Sequence, residues 1–295
     1  MPEVNVKCPI IQGLCLAFWA NRKTLFVFYY LILIYGVINQ RYSKMHTDKP
    51  PPLPAFLKIS LILPPFQFLN FVYLPRLSML IAQSIQKYYG DLHVLKGVNV
   101  SIQKGEIVSI VGASGAGKST LLHILGTLDK ADSGTLEVEG LDILKLTGDR
   151  LATFRNDRIG FIFQFHNLLP EFTAEENIWI PGLMGKKPEN VLKKRTQDLA
   201  KLLGIQSRLS HKPAALSGGE QQRVAVARAL VNNPDMIFAD EPSGNLDTQN
   251  AQSLHELFFK LRDEFGQSFV IVTHNQSLAG MSDRMLTMED GKILA

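Results

Sequence analysis

A glycine-rich loop that ends in a lysine constrains this chain of 295 residues more than any other feature. Residues 112–120 read GASGAGKST and match the pattern G-x-x-x-x-G-K-[ST]. The run EIVSIV at Glu106–Val111 predicts a buried strand before the loop, and Lys118–Leu125 predicts a helix after it. A strand, a glycine loop and a helix in this order predict an α/β domain that binds the phosphates of a nucleotide.

The chemistry of this loop follows from its residue types. Glycines let the backbone turn so that successive N–H groups point at phosphate oxygens, and the positive end of the following helix adds to the attraction. Lys118 would place a charge on the β- and γ-phosphates of ATP, and the Ser119 hydroxyl would bind Mg²⁺. The candidate ATP-binding residues are Gly112, Ala113, Ser114, Gly115, Ala116, Gly117, Lys118, Ser119 and Thr120.

Two neighbouring carboxylates form a second candidate site. Residues 236–241 read MIFADE, which predicts a buried strand with acidic residues at its end. Asp240 would hold Mg²⁺, and Glu241 would polarise the attacking water as general base. Two acids after a strand are usually only a solvated strand end. Their distance along the chain from the phosphate loop favours the functional interpretation here.

The run LSGGEQQR, residues 216–223, resembles the signature of the ABC ATPase family, and the resemblance extends over nearly all of residues 79–295. It implies an α/β P-loop NTPase of the ABC ATPase type, with a RecA-like core, an antiparallel β subdomain and a helical signature subdomain. Ser217, Gly218 and Gly219 would open a helix, with Ser217 as its N-cap. In the family this helix end faces the γ-phosphate bound by a second copy, so that two copies enclose two ATP molecules head to tail.

The resemblance also implies roles for single residues. Tyr89 would stack on adenine, with Tyr88 as the alternative. Gln164 matches the glutamine that reaches Mg²⁺ and the attacking water and that senses the membrane partner. Asp247 in the run GNLD would shape the dimer contact, and His274 would contact the γ-phosphate during catalysis. The other histidines show no ligand spacing, and we interpret them as structural or exposed: His46, His93, His123, His166, His211 and His255.

The stretch FHNLLPEFTAEENIWIP, directly after Gln164, is similar to the ATPase subunit of lipoprotein-releasing (Lol-type) systems. The ATPases of macrolide exporters are similar too, but they usually lack the Phe-His pair and the Glu-Phe pair. Phe165, Leu168, Leu169 and Phe172 would line a groove for a helix of the membrane subunit. Ordinary core packing is the alternative for the two leucines.

This resemblance implies a peripheral ATPase subunit on the cytoplasmic face of the inner membrane, with integral membrane permease subunits as partners. Lipoprotein release is the expected function. A macrolide or peptide exporter and a cell-division ATPase that acts on a membrane partner without transport are the alternatives. Residues 79–295 hold 23 basic and 25 acidic side chains, one ATPase module and no long heptad run. An ATPase acting on DNA or ribosomes is therefore not expected, and neither is a nucleic-acid partner.

Residues 1–78 differ in composition from the rest of the chain. They hold eight basic residues, two acidic residues and both cysteines. The apolar stretch Thr24–Ile38 is shorter than the roughly 20 residues that span a bilayer, and prolines interrupt Leu53–Leu74. A membrane anchor, a disordered leader and upstream sequence translated from a misplaced start codon are the three interpretations, and we favour the last. Met79 would then open the ATPase domain, residues 79–295, and upstream peptides in the native protein would contradict this.

Overall fold

A computed structural model describes residues 78–294, which lie within one compact unit. Residues 1–77 lie outside the described residues, and only the backbone of Ser78 is described. The three interpretations of residues 1–78 therefore concern a segment outside the described range. The β-strands of the described range are β1 (Ser78–Tyr89), β2 (Leu92–Gln103), β3 (Ile107–Val111), β4 (Ser133–Val138), β5 (Leu141–Asp142), β6 (Ile159–Phe163), β7 (Met236–Asp240), β8 (Ser268–Val272), β9 (Arg284–Glu289) and β10 (Lys292–Leu294).

The α-helices of the same range are α1 (Lys118–Leu125), α2 (Gly148–Arg158), α3 (Ala174–Met184), α4 (Glu189–Leu203), α5 (Gly218–Leu230), α6 (Thr248–Phe265) and α7 (Gln276–Met281). Two 3₁₀ turns, Gln206–Arg208 and Pro213–Ala215, lead into α5. None of the helices described between residues 78 and 294 is both long and apolar enough to cross a membrane.

The strands form two sheets. Six strands have the order β10-β9-β3-β8-β7-β6, and all neighbours are parallel except β10 and β9. Four strands, in the order β2-β1-β4-β5, form an antiparallel sheet. The α/β fold with a mainly parallel core, an antiparallel β subdomain and a helical signature subdomain is therefore confirmed, and β1 is the expected first strand.

Both faces of the parallel sheet are covered, which explains why its central strands are apolar throughout. In β7, Ile237 and Ala239 face a core that contains residues of α3 to α7. Met236 and Phe238 face the opposite core, which contains residues of α1 and of the antiparallel sheet. Successive side chains of a strand point to opposite faces, so a strand between two cores needs apolar residues at every position.

Helix α4 buries one face against the core and exposes the other. Leu192, Leu199 and Leu203 are buried, and Thr196 occupies the same face. Val191 is 52% exposed. Positions four and three apart lie on one side of a helix, and Val191 stands one residue off that series.

Candidate functional site

Three parallel strands end side by side at one edge of the six-stranded sheet. Val272 in β8 pairs with Ile110 in β3 and with Asp240 in β7. The loops that follow these strands meet at a cavity of about 580 Å³. Its lining comprises Tyr89, Val94, Gly112, Ser114, Gly115, Gly117, Lys118, Ser119, Thr120, Glu241, Val272 and His274. The phosphate loop, the carboxylate after β7 and the histidine after β8 thus share one cavity.

The loop before α1 depends on glycine at two closely packed positions. Gly112 has a φ of 151°, and a Cβ there would lie 2.1 Å from the carbonyl oxygen of Met288 in β9. Gly117 has a φ of 101° and stands at the N-terminus of α1, where no side chain caps the helix. Gly115, with a φ of 79°, has open space beside its Cα. The uncapped helix end and the open loop form an anion-binding surface.

Lys118 and Ser119 carry the polar groups of this loop. The Nζ of Lys118 donates to the carbonyl oxygens of Gly112 and Ala113, both at 2.9 Å. The Oγ of Ser119 donates to Oδ1 of Asp240 at 3.2 Å. Burial raises the pKa of the Asp240 carboxyl, and the Ser119 hydrogen bond partly opposes that shift. A partly buried carboxylate beside a hydroxyl offers hard oxygen ligands of the kind that Mg²⁺ prefers.

Glu241 has an uncommon backbone conformation. Its φ is +47°, which places a residue with a Cβ in the left-handed region. Its N–H donates to the Val272 carbonyl at 2.9 Å, so β8 holds this conformation in place. Its Oε2 lies 2.9 Å from Nδ1 of His274 and accepts the His274 backbone N–H at 3.3 Å. The carboxylate is therefore fixed at the cavity wall, and backbone strain of this kind is concentrated at functional sites.

The two candidate tyrosines have different surroundings. Tyr89 lines the cavity and is 52% exposed, and its hydroxyl donates to Oδ2 of Asp129 at 2.6 Å. Tyr88 stacks on His93, with the ring centroids 4.1 Å apart, and is not among the described lining residues. The geometry favours Tyr89 over Tyr88 as the aromatic platform of this cavity.

Gln164 and Asp247 lie outside the lining formed by the described residues. The Gln164 Nε2 donates to Oδ1 of Asn245 at 3.1 Å, and the Asn245 Nδ2 donates to the Gln164 carbonyl at 3.1 Å. Asp247 caps α6, with its Oδ1 accepting the Asn250 N–H at 2.8 Å. The segment after Glu241 is thus joined to the segment after β6.

The signature segment is also outside the described lining of the cavity. Ser217 caps α5, and its side chain accepts the Glu220 N–H at 3.3 Å while Glu220 Oε2 accepts the Ser217 N–H at 2.8 Å. Arg208 Nε donates to Glu220 Oε1 at 2.6 Å. At Gly219 a Cβ would lie 2.7 Å from Asn250 Oδ1, so this glycine allows α6 to approach. One chain therefore presents the phosphate loop and the signature at separate places.

An exposed apolar surface follows Gln164, and we name it the apolar loop surface. It consists of Phe165, Leu169 and Phe172, which are 69%, 43% and 42% exposed. Leu168 instead packs against the helical core. Core packing was therefore the correct alternative for Leu168 and the wrong one for Leu169.

One buried and one partly buried polar side chain fix the backbone of the loop that carries this surface. The Asn177 side chain, fully buried in α3, accepts the Leu169 N–H at 2.8 Å and donates to the Phe172 carbonyl at 3.2 Å. Arg228 of α5 donates to the carbonyls of His166 and Asn167, both at 2.7 Å. Arg228 therefore joins the signature helix to residues 166–167 of the loop that carries the apolar loop surface.

Of the histidines interpreted as structural or exposed, His123 lies beside the cavity, whereas His255 is buried away from it. His123 Nε2 lies 3.8 Å from Asp240 Oδ2, beside Ser119. Ser119 and His123 are four residues apart on α1, and this spacing places them on the same helix face, which was the available signal. His255 is buried and its Nε2 lies 3.1 Å from Ser243 Oγ, so its structural interpretation fits its position.

No group of three or more His, Cys, Asp or Glu side chains converges within residues 78–294 in a way that could hold a metal ion. A cation at this cavity would have the Ser119 hydroxyl and the Asp240 carboxylate as neighbouring protein oxygens. Mg²⁺ is commonly bound in this manner, through one or two protein oxygens, water and substrate phosphates. The pair Ser119 and Asp240 fits that ion.

Comparison with known proteins agrees with this geometry. The family model described as ABC transporter matches residues 95–244. The "Lipoprotein-releasing system ATP-binding protein LolD" of Cytophaga hutchinsonii is 57% identical over 217 residues, which cover 74% of this chain and 99% of the relative. The protein of the same name from Porphyromonas gingivalis is 56% identical over 214 residues, or 72% of this chain and 98% of the relative.

A solved structure shares the fold at appreciable sequence identity. The dimeric structure of a post-hydrolysis state of the ATP-binding cassette MJ0796, bound to ADP and Pi, is 39% identical with a TM-score of 0.68. The match covers 74% of this chain and 97% of that chain. The family model, the curated relatives and the cavity geometry agree, and the chain belongs to the ABC transporter family, as one of its ATPases.

Proposed function

We propose that this chain is the ATP-hydrolysing subunit of a lipoprotein-releasing ABC transporter. The observation that carries the ATPase function is the cavity in which the phosphate loop, Glu241 and His274 meet. The cargo class rests on relatives named as lipoprotein-releasing proteins, at 57% and 56% identity over nearly their whole length. These relatives favour lipoprotein release over the exporter and cell-division alternatives. We place the ATPase domain at residues 79–295.

ATP would bind with its phosphates on the loop and its base beside Tyr89. The backbone N–H groups of the loop and the first turn of α1 would donate to phosphate oxygens. Lys118 would leave the loop carbonyls and pair with the β- and γ-phosphates. Ser119 and Asp240 would hold Mg²⁺, with Gln164 as a further ligand, and the ion would neutralise charge on the phosphate oxygens.

Hydrolysis would depend on three side chains around the γ-phosphate. Glu241 would accept a proton from the attacking water, and its contact with His274 would keep its carboxylate aimed into the cavity. His274 would also reach the γ-phosphate. Gln164 would orient the water, and its pairing with Asn245 links that task to the segment after Glu241.

The remaining half of each site would come from a second copy. In the partner, the N-terminal end of α5, with Ser217, Gly218 and Gly219, would bind the γ-phosphate through backbone N–H groups. Asp247 would shape the contact between the copies. The described cavity has no signature residue in its lining, which supports this assignment.

The apolar loop surface would receive a helix of an integral membrane permease subunit. Its three residues are exposed and apolar, while Asn177 and Arg228 hold the backbone beneath them. A rigid apolar surface suits an amphipathic helix of a partner. Because Arg228 belongs to α5, motion of that helix would reach the permease directly. The subunit would therefore lie peripherally on the cytoplasmic face of the inner membrane.

The Glu241→Gln variant tests the proposed chemistry. It keeps the size of the side chain but removes the base, so ATP should bind tightly while phosphate release falls by about 10²- to 10⁴-fold. Phosphate release and bound nucleotide are measured on the purified chain. Glu264→Gln, at an exposed position of α6, is the matched control and should hydrolyse ATP normally. Normal phosphate release by Glu241→Gln would disprove the general-base role.

A further inference from the structure

We infer that Asp129 and Lys87 are positioning residues that hold the Tyr89 ring against the adenine base of the bound nucleotide. This inference rests on the proposed function of the cavity, since it assumes that Tyr89 contacts the base. It assigns a task to two charged residues that do not line the described cavity. It is supported by the contacts of the Tyr89 hydroxyl and of the Asp129 carboxylate, which accepts the hydroxyl's hydrogen bond.

A half-exposed tyrosine at the end of a strand would ordinarily exchange between several side-chain rotamers. Tyr89 is restrained because its hydroxyl donates to Oδ2 of Asp129 at 2.6 Å. A hydrogen bond to an ionised acceptor is shorter and stronger than one between neutral groups. The bond therefore selects one orientation of the ring before the nucleotide binds, and less conformational entropy is lost on binding.

Asp129 is itself fixed by a buried cation. Its Oδ1 accepts from Lys87 Nζ at 2.9 Å and from the Lys130 N–H at 2.7 Å. Lys87 is only 7% exposed, donates also to the Lys130 carbonyl at 2.7 Å, and lies 5.0 Å from the Tyr89 ring centroid. A lysine buried to this extent requires a charge partner, and its ammonium also attracts the ring face.

This ion pair remains charged at neutral pH. Burial acts to lower the pKa of Lys87, but the hydrogen bond and charge of Asp129 outweigh it, so that the pKa lies above its usual value. Burial acts to raise the pKa of Asp129, but hydrogen bonds from Tyr89 and Lys87 outweigh it and the pKa lies below its usual value. The acceptor of the Tyr89 hydroxyl is therefore an ionised carboxylate at neutral pH.

The same contacts join the base platform to the phosphate loop. Asp129 follows α1, and its N–H donates to the His123 carbonyl in that helix at 3.2 Å. The helix begins at Lys118 in the phosphate loop. Tyr89 belongs to β1 of the antiparallel sheet, so the hydrogen bonds of Asp129 connect that sheet with α1. The distance between base and phosphates is thereby held constant.

Two ligands, ADP and inorganic pyrophosphate, differ by the nucleoside and are used to test the inference. The full chain and its variants are titrated with ADP and with inorganic pyrophosphate. Tyr89→Phe and Asp129→Ala should each weaken ADP binding about three- to tenfold and leave pyrophosphate binding unchanged. The double variant should bind ADP no more weakly than Asp129→Ala alone, because both changes remove the same hydrogen bond.

Asp142→Ala is the matched control, since it removes an aspartate paired with Lys145 at 2.8 Å away from the cavity, and it should leave both affinities unchanged. The inference is overturned if Tyr89→Ala weakens ADP binding while Tyr89→Phe and Asp129→Ala do not. It is also overturned if pyrophosphate binding weakens as much as ADP binding. Unchanged ADP binding by Tyr89→Ala would refute the base platform itself and this inference with it. Tyr89→Phe, which removes one oxygen from a half-exposed side chain, keeps the test valid if Asp129→Ala is unstable.

Discussion

Several residues at the cavity are determined by backbone geometry as much as by side-chain chemistry. Gly112 is required because the β9 carbonyl of Met288 lies where a Cβ would be. Glu241, the proposed general base, has a left-handed backbone with a φ of +47°. The positions of both residues were predictable from local patterns, a glycine loop after a strand and two acids after a strand. The strain at Glu241 was not, since nothing in the run MIFADE indicates a positive φ.

Gly112→Ala should destabilise the protein more than a glycine substitution without a steric clash. The new Cβ would lie 2.1 Å from the Met288 carbonyl oxygen, and relief of that overlap requires β9 or the loop to move. We expect a loss of roughly 3 kcal/mol in the free energy of unfolding, together with weakened nucleotide binding. Urea denaturation and nucleotide titration are the measurements.

Gly204→Ala is the control for that change. Gly204 has a φ of +68° and no neighbouring atom within 4 Å of a built Cβ, so only the left-handed backbone is strained. The expected loss is about 1–2 kcal/mol, with nucleotide binding retained. Equal losses in the two variants would show that the Met288 contact does not account for the requirement at Gly112.

Elements with one apolar face were predictable, and those without it were not. Helices α1, α4 and α6 each bury a stripe of apolar side chains, which gives their sequences a helical period, and α1 has the bounds predicted for it. Helix α2 buries none of its residues, and α3 contains Pro181 and no clear apolar stripe. Hydrophobic periodicity does not predict such helices, since their contacts are polar or come from segments distant along the chain.

The sequence pattern likewise did not predict which side chains form hydrogen bonds with residues distant along the chain. Gln164 and Asn245 are 81 residues apart, and Arg228 lies 62 residues from His166. Neither pair has a characteristic spacing, because its geometry is set by the parallel order of β6 and β7 and by the position of α5 on the sheet. The residue types at the site were thus predictable, but their mutual hydrogen bonds were not.

Glu220, at the N-terminal end of α5, should make the stability of the protein depend on pH. The hydrogen bond from Arg208 and that from the Ser217 backbone lower the pKa of Glu220 to about 2, from an ordinary value of 4.5. Because the folded pKa is the lower one, this contribution to stability is complete above pH 4.5 and is lost as the pH falls toward 2. Partial exposure reduces its size to roughly 1–2 kcal/mol.

Glu220→Gln should remove this contribution. At pH 7 the variant should unfold at lower urea concentration than the unaltered chain, and the difference should shrink as the pH is lowered from 4.5 toward 2. Unfolding curves at a series of pH values provide the measurement. Glu256→Gln, on the exposed side of α6, is the control and should follow the unaltered chain. A difference that stays constant down to pH 2 would contradict the assignment.

At the scale of the whole molecule, one chain carries the phosphate loop and the signature at separate places. The phosphate loop and Glu241 share a cavity, whereas the start of α5 is not in its described lining. The related cassette MJ0796, at 39% identity, was solved as a dimer. If two copies complete each other head to tail, an isolated monomer should bind ATP but hydrolyse it poorly, and the rate per chain should rise with protein concentration.

Two complementary variants separate this arrangement from a site completed within one chain. Lys118→Ala disables the phosphate loop. Gly218→Asp places a carboxylate at the signature, where a built Cβ meets only Leu246 Cδ2 at 4.0 Å, so the chain should still fold. An acidic residue in the first helical turn is also favourable for α5. In the partner's site, however, the added charge would repel the γ-phosphate.

Each variant alone should be inactive, because every site of its dimer contains the defect. In an equal mixture, about half of the dimers pair one chain of each kind, and both defects then fall in the same site. The other site contains an intact phosphate loop and an intact signature. If the two sites act independently, the mixture should recover about one quarter of the unaltered rate per chain. A site completed within one chain has no route to such recovery, so activity in the mixture would establish the head-to-tail arrangement. For independent sites, an inactive mixture of folded, exchanging variants would exclude it.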